Sequence, residues 1–470
     1  MMNSPVRLLL AAAAAAMIAG CSLTPELVRP AAPVAPEFPP HAAAPTNANR
    51  AAVDIGWREV FPDARLQALI SSALENNRDL RTAALRIEEA RAAYNIQSAD
   101  LLPNVNAAAS GTRARTPAGL SLTGRPAVGN IYQVGLSMAS FELDFFGRVR
   151  SLNDAALAAY LATEEAQRAA QISLVAETAK AYLSELGAGE QLVLARRTLE
   201  SREEGYKLGK QRFAVGATSA LDLRLNETLV LSARVSVLQL QRQQAQAHNA
   251  LTLLVGKPLG DMPVGEDLSS QNVVTTIPAG LPSDLLTNRP DIRAAESRLV
   301  AANANIGAAR AAFFPRISLT AGLGTASPAL SGLFDSGSMS WSFAPQLTLP
   351  IFDAGRNRGN LDLAVVRRDL AVTDYERTIQ TAFREAADAL VARGTLDEQV
   401  EAQRQTREAQ ADRLNLVDQR FRAGVASTLD MLDAQRELFT AEQTLVQTRL
   451  QRLTNAVDVY RTLGGGLKVE

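Results

Sequence analysis

The 470-residue chain nearly lacks cysteine and histidine, with one Cys and two His. A disulfide framework is excluded, and a multi-residue zinc site has too few ligands. Aromatic residues make up only 5%, and the formal net charge is −1. No basic surface of the kind that holds nucleic acid is indicated. No nucleophile, base and orienting group can be named together, so the chain is not expected to be an enzyme, and no cofactor or metal is expected. The segment Gly205 to Lys210 looks like a phosphate-binding loop but has three residues between its glycines, lacks the following Ser or Thr, and lies in a helical stretch.

What is present is a duplication. Gln211-Arg212-Phe213 with Gly216, Ser219, Leu221 and Asp222 recurs as Gln419-Arg420-Phe421 with Gly424, Ser427, Leu429 and Asp430, a shift of 208 residues. Asp79-Leu80-Arg81 with Pro103 recurs as Asp291-Ile292-Arg293 with Pro315, a shift of 212. A period this long marks a doubled architecture, not a solenoid of short units.

The sole cysteine has a telling position. Arg7 precedes an apolar run, Leu8 to Ala19, that is too short to span a bilayer and suits a signal-peptide core. It ends Ile18-Ala19-Gly20-Cys21, which resembles the bacterial lipobox, where cleavage precedes a Cys that is then lipidated. Residues 1–20 are thus expected to be a lipoprotein signal peptide. Residues 21–63 are expected to be a lipidated Pro/Ala-rich tether (Pro25, Pro30, Pro33, Pro36, Pro39, Pro40, Pro45). A first repeat follows at 64–260, a Gly/Pro/Ser-rich linker at 261–282, and a second repeat at 283–465.

Each repeat has the order helix, β-hairpin, long helix, helix. Ala64 to Leu101 is expected to be helical, with Leu80, Ile87, Tyr94 and Leu101 recurring every seven residues as a coiled-coil seam. After Pro103 the period becomes two: Val105, Ala107 and Ala109 alternate with small or polar residues, as do Tyr132, Val134, Leu136 and Met138. The phase slips near Ser140-Phe141, where a bulge or the end of the sheet is expected. Gly147 to Phe213 contains no proline and predicts a helix of roughly 65 residues, about 100 Å long. In the second half, helix is expected from Ser283 to Phe314, then strands through Ile317, Leu319 and Leu323 and through Trp341, Phe343 and Leu347. A second Pro-free stretch runs from Gly355 to Phe421. Ser219 with Asp222, and Ser427 with Asp430, form capping boxes that open the last helix of each repeat. Leu432, Phe439, Val446, Leu453 and Tyr460 mark the final seam.

Four strands with one apolar and one small or polar face suit a barrel wall between lipid and water. Four strands cannot close on themselves, and open edges are not tolerated in lipid. Several chains must then share one barrel; a soluble sandwich with a helical domain is the alternative.

At this point the chain resembles the TolC family of outer-membrane efflux channels, most closely its lipoprotein (OprM and NodT type) branch, over about residues 18 to 465. The residues that carry this are the lipobox with Pro25 and Pro30, the hairpin starts "LLPNV" and "FFPRI", the strand-to-helix joints "ELDFFGRVR" and "LPIFDAGRNR", and the tips "QRFAVGATSALDL" and "QRFRAGVASTLDML". The resemblance implies a mainly α fold with a β-hairpin pair per chain. It implies a homotrimer with a 12-stranded barrel in outer-membrane lipid above a long antiparallel α-helical coiled-coil tunnel. It further implies partnership with a periplasmic adaptor (membrane fusion) protein and an inner-membrane pump, usually proton-driven and of the RND type. The expected function is the exit channel of a tripartite system, passively conducting drugs or other small solutes. Metal export or type I protein secretion is an alternative, and a non-conducting periplasmic coiled-coil scaffold lipoprotein is a reading from another class.

By the same resemblance, Asp430 and Asp433, three apart on one helix face, line a periplasmic gate. Three copies would place six carboxylates in a cation-favouring ring, some with raised pKa. Asp430 also fits a purely structural cap. Gly216, Ser219, Gly424 and Ser427 are the expected adaptor-docking tips. Some relatives carry Arg near position 426; this chain has Ala426, leaving Arg420 or Arg422 as substitutes for a latch.

Overall fold

A computed structural model describes residues 22–38, 52–121, 124–260, 262–274, 277 and 282–469. Cys21 and the expected signal peptide lie outside the described residues. The described residues form nine α-helices and four strands: α1 (Trp57–Val60), α2 (Ala64–Asn76), α3 (Arg78–Ala99), β1 (Val105–Thr116), β2 (Ala127–Leu143), α4 (Arg148–Ala214), α5 (Ala220–Val255), α6 (Pro282–Asn288), α7 (Pro290–Ala311), β3 (Arg316–Ser327), β4 (Met339–Thr348), α8 (Arg356–Arg422) and α9 (Thr428–Thr462). They fall into two compact units. One comprises residues 1–31, 86–163 and 294–376, and the other 32–85, 164–293 and 377–470.

In the first unit both hairpins join one antiparallel sheet, in the order β1-β2-β3-β4. Cross-strand partners share a face, so the register fixes what each face carries. One row is Ala107, Leu136, Leu323 and Trp341; the next is Val105, Met138, Ala321 and Phe343. The opposite face carries Ala108, Gly135, Gly324 and Ser340, then Asn106, Ser137, Gly322 and Ser342. The phase slip seen in the sequence is a bulge. Met138 pairs with Ala321 and Phe141 with Leu319, so β2 spends three residues where β3 spends two. Ser140, inside it, has φ 52°. The extra residue keeps Phe141 and Leu143 on the apolar face opposite Leu319 and Ile317. The glycines let strands approach closely. A Cβ on Gly324 would lie 2.2 Å from the Val134 carbonyl oxygen, and one on Gly135 would lie 2.6 Å from the Leu323 carbonyl oxygen. Strands β1 and β4 are exposed along their whole length and form the two edges.

The segment after Cys21 is docked along α7. The Leu23 carbonyl accepts from Arg310 at 3.2 Å and the Pro25 carbonyl from Asn303 at 2.8 Å. Arg29 pairs with Glu296 at 2.6 Å. Residues 23–29 thus run antiparallel along α7. Gly307 makes room for them, since a Cβ there would fall 2.2 Å from Thr24 Oγ1.

The long helices α4 and α8 have 67 residues each, about 100 Å at 1.5 Å per residue. Their mostly polar surfaces carry i,i+3 and i,i+4 ion pairs such as Arg404 with Glu401 at 2.7 Å. The half-buried residues of α3 include Leu80, Ala83, Ile87, Ala90 and Tyr94, the seven-residue seam read from the sequence; Leu101 lies beyond the helix and is exposed. The expected continuous helices 64–101 and 283–314 are each broken. Asn77 adopts an extended conformation between α2 and α3, and Arg289 separates α6 from α7.

These breaks are a duplicated joint of the second unit. Asn77 Oδ1 accepts from the Asp79 and Leu80 amides at 2.9 Å, capping α3, while its Nδ2 donates to the Leu254 carbonyl at 2.9 Å at the end of α5. Arg289, 212 residues later, donates to the Thr462 carbonyl at 3.3 Å at the end of α9 and pairs with Asp291 at 2.7 Å and Glu385 at 3.2 Å. Gly256 and Gly464 follow α5 and α9 with φ 77° and 87°. A Cβ at these positions would meet the Asn76 and Asn288 carbonyl oxygens at 2.4 and 3.0 Å. The function of the joint survives duplication although Asn and Arg fill it.

The expected tether ends too late in the sequence. Residues 52–63 are core: Trp57, Val60 and Phe61 are buried, and Tyr460 donates to the Ile55 carbonyl at 2.6 Å. Large apolar side chains bury more area than extended chain entropy opposes, so a Pro/Ala composition upstream did not carry through to Trp57. Asp63 caps α2 and sits 2% exposed. It accepts from the Arg65 amide at 2.7 Å, Tyr182 Oη at 2.8 Å, Gln271 Nε2 at 2.6 Å and the Glu266 amide at 3.2 Å. One carboxylate thereby ties α2, α4 and the 262–274 linker.

Candidate functional site

The two helix hairpins end in matching tips. At the first, Gly216 has φ 74°, and the Gly216 and Ala217 amides donate to the Phe213 and Arg212 carbonyls at 3.0 and 2.8 Å. At the second, Gly424 has φ 75°, and the Gly424 and Val425 amides donate to the Phe421 and Arg420 carbonyls at 3.0 and 2.8 Å. A left-handed residue after a helix satisfies its last carbonyls and turns the chain, which favours glycine. Both capping boxes form. Ser219 Oγ accepts from the Asp222 amide at 3.1 Å, and Ser427 Oγ from the Asp430 amide at 3.1 Å. The return bond from the Ser427 amide to Asp430 is 2.9 Å, tighter than the 3.4 Å from the Ser219 amide to Asp222. Apolar side chains stand out at the tips: Val215 and Leu221 at the first, Val425 and Leu429 at the second, each at least 64% exposed. Arg212 reaches from the first tip over the Phe421 ring of the second, 5.8 Å from its centroid.

The expected gate carboxylates differ in their surroundings. The backbone amide and hydroxyl of Ser427 hold the Asp430 carboxyl below the usual carboxylate range, with Arg420 and Arg413 adding to the effect. Within one chain Asp430 is therefore a cap. Asp433 lies between two guanidinium groups: Arg413 Nη2 is 2.7 Å from its Oδ2, and Arg436 contacts its Oδ1. Neither suggested latch residue makes this contact. Arg422 pairs with Asp418 on its own helix at 2.8 Å, and Arg420 acts on Asp430 through charge. Arg413 is the residue that sequence reasoning missed. Its signal was available: 413 lies eleven residues before Gly424 and 433 nine after, so an antiparallel helix hairpin turning at Gly424 brings them level.

Among the described residues no helix is long and apolar enough to cross a membrane, and no cluster of His, Cys, Asp and Glu could hold a metal ion. The sheet carries apolar rows that run across all four strands. At about 3.4 Å per residue, strands of 10 to 17 residues reach the 9–11 residues needed for a tilted crossing.

Comparison with known proteins agrees. A family model described as outer membrane efflux protein matches residues 69–257 and 281–465. The outer membrane protein OprJ of Pseudomonas aeruginosa is 50% identical over 451 residues, covering 96% of this chain and 94% of that protein. The toluene efflux pump outer membrane protein TtgC of Pseudomonas putida is 47% identical over 462 residues, covering 98% and 95%. The crystal structure of the open state of the Neisseria gonorrhoeae MtrE outer membrane channel superposes with a TM-score of 0.87 at 44% identity, covering 96% of this chain and 99% of that one. Likeness of this degree over nearly the whole length settles the family: the chain belongs to the outer membrane efflux proteins and is a TolC-type efflux channel of the outer membrane.

Proposed function

We propose that three copies pool their four-stranded sheets into a twelve-stranded barrel and conduct small solutes passively from an inner-membrane pump to the outside. The observation that carries this reading is the pair of unprotected edges, β1 and β4, on a sheet whose apolar rows run across all four strands. In lipid each unpaired backbone group costs several kcal/mol, so the edges of one copy must pair with those of the next. Cys21, once lipidated, anchors the chain to the outer membrane just ahead of the docked segment 23–29. The pump is of the proton-driven RND type, and its periplasmic adaptor meets the tips at Gly216, Ser219, Gly424 and Ser427, where Val215, Leu221, Val425 and Leu429 offer apolar contacts. Relatives named for toluene and antibiotic efflux support small apolar or amphipathic solutes as cargo. The long helices shield that cargo across the periplasm and need no catalytic group.

Asp430 and Asp433 line the periplasmic constriction, with Arg413 and Arg436 setting the net charge that passing ions meet. Planar-bilayer recording tests this. Asp433→Asn removes a negative charge from beside Arg413 and Arg436, the latter keeping Glu437, and is expected to shift the reversal potential toward anion selectivity, while Arg413→Gln removes one of the two positive charges at Asp433 and shifts it toward cations. Equal and unchanged selectivity in both variants would remove this cluster from the pore.

A further inference from the structure

The apolar face of the sheet changes character toward the hairpin loop. On β1 the face that carries Val105, Ala107 and Ala109 continues through Gly111 to Arg113 and Arg115, with no register shift between Val105 and Thr116. Both arginines are exposed, and their cross-strand partners on β2 are Asn130 and Val128. Tyr132 marks the transition. It pairs with Gly111, and its ring lies where a Gly111 side chain would stand, 3.2 Å from an ideal Cβ. Arg125 lies in the turn that joins the strands.

The surrounding charge is all of one sign. Residues 101–141 contain Arg113, Arg115 and Arg125 and not one Asp or Glu. The second hairpin is the reverse: residues 317–355 contain Asp335 and Asp353 and no Lys or Arg. The one basic residue of the second hairpin, Arg316, stands at the helix end of β3 and pairs with Glu142, so toward the loops basic residues occur on the first hairpin alone.

Height matters as much as charge. Arg113 and Arg115 are eight and ten residues beyond Val105, about 27 and 34 Å along the strand at ~3.4 Å per residue. With a barrel tilt near 40° these become roughly 21 and 26 Å along the membrane normal, the upper edge of an apolar band about 25 Å tall. The helices leave the other end of the sheet, so this edge is the extracellular one. A cation on a lipid-facing surface is stable there only at headgroup level, and guanidinium groups match phosphate oxygens in a forked geometry. Tyr132, two residues below Arg113 in the register, fits the aromatic girdle of such walls.

We infer that Arg113 and Arg115, flanked by Tyr132 and Asn130, form a site on the lipid-facing wall for the phosphate groups of a phosphorylated glycolipid of the outer leaflet. The inference rests on the barrel reading given above. Its chemistry is fixed by two adjacent guanidinium groups over an apolar surface: a phosphate-bearing headgroup with acyl chains running down the band formed by Ala109, Ala107 and Val105.

Native mass spectrometry of the full-length acylated protein in mild detergent tests the site. The probes are bis-phosphorylated lipid A, its dephosphorylated counterpart, and phosphatidylglycerol. The wild type is expected to retain bis-phosphorylated lipid A at least about tenfold better than either other lipid, and the Arg113→Gln/Arg115→Gln double variant to lose that preference. The inference is overturned if the variant retains lipid A as the wild type does, if removing the phosphates changes nothing, or if phosphatidylglycerol is held equally well. Bilayer conductance of the same preparations separates the two readings. Conducting channels without lipid preference overturn this site alone, whereas a wild type that does not conduct overturns the barrel on which the site rests.

Discussion

Gly324→Val is expected to abolish insertion and conductance, while Gly129→Val leaves both close to wild type. At Gly324 an added Cβ falls 2.2 Å from the Val134 carbonyl oxygen and 2.6 Å from the Gly135 Cα. Both obstacles are backbone atoms of β2, so no rotamer change relieves the overlap. Overpacking that side chains can absorb costs about 1–3 kcal/mol; here the strands themselves must part. The contact lies inside the β2–β3 ladder, at the fourth of its ten pairs, and this ladder joins the two hairpins into one sheet. Losing it separates the chain into two hairpins that are at best marginal alone. At Gly129 a Cβ meets nothing within 4 Å, so this substitution controls for valine itself. The readout is channel-forming activity per milligram in planar bilayers, alongside β-content by circular dichroism. Wild-type activity in Gly324→Val would show that the strands do not approach this closely.

Asp63→Ala is expected to have the second largest effect, on the helical unit. The carboxylate caps α2 and receives Tyr182, Gln271 and the Glu266 amide in a site 2% exposed. A lost cap costs about 1 kcal/mol, and each buried hydrogen bond to a charged acceptor about 1.5–3 kcal/mol. A total of roughly 4 kcal/mol or more follows even if neighbouring groups relax partly. Proteolytic resistance and thermal midpoint in detergent report it. The pH dependence has a definite sign. Burial pushes the Asp63 carboxyl up, but the bonds from Gln271, Tyr182 and the Glu266 and Arg65 amides outweigh it and hold the group below its ordinary value of 3.8. A lowered folded-state pKa means that the stabilisation is full above that ordinary value and is lost as pH falls through the lower folded-state value. The stability difference between wild type and Asp63→Asn should therefore stay constant from neutral pH down to about pH 5 and shrink only in stronger acid. A difference that already shrank between pH 7 and 5 would contradict this account of Asp63.

Much of this architecture was legible because its signals are local. The absence of proline from 147 to 213 and from 355 to 421 anticipated two helices of 67 residues to within a residue or two at each end. Period-two alternation gave the strands, and its slip at Ser140 located the bulge. What was not legible depends on distant partners. Asn77 and Arg289 break stretches that read as continuous helix, because each is recruited by the end of another helix about 175 residues away. Trp57 and Phe61 looked like the end of a tether because their partners, among them Tyr460, come from the far end of the chain. At the tip, the family resemblance pointed to Asp433 but said nothing of Arg413, whose role follows only from hairpin register.

The number of polypeptides in the detergent-solubilised particle tests the central claim most directly. Sheets with two bare edges must pool to close a wall, so native mass measurement should find three copies of the acylated chain, and none stable in water without detergent. A monomer that remains soluble when detergent is withdrawn would contradict the account.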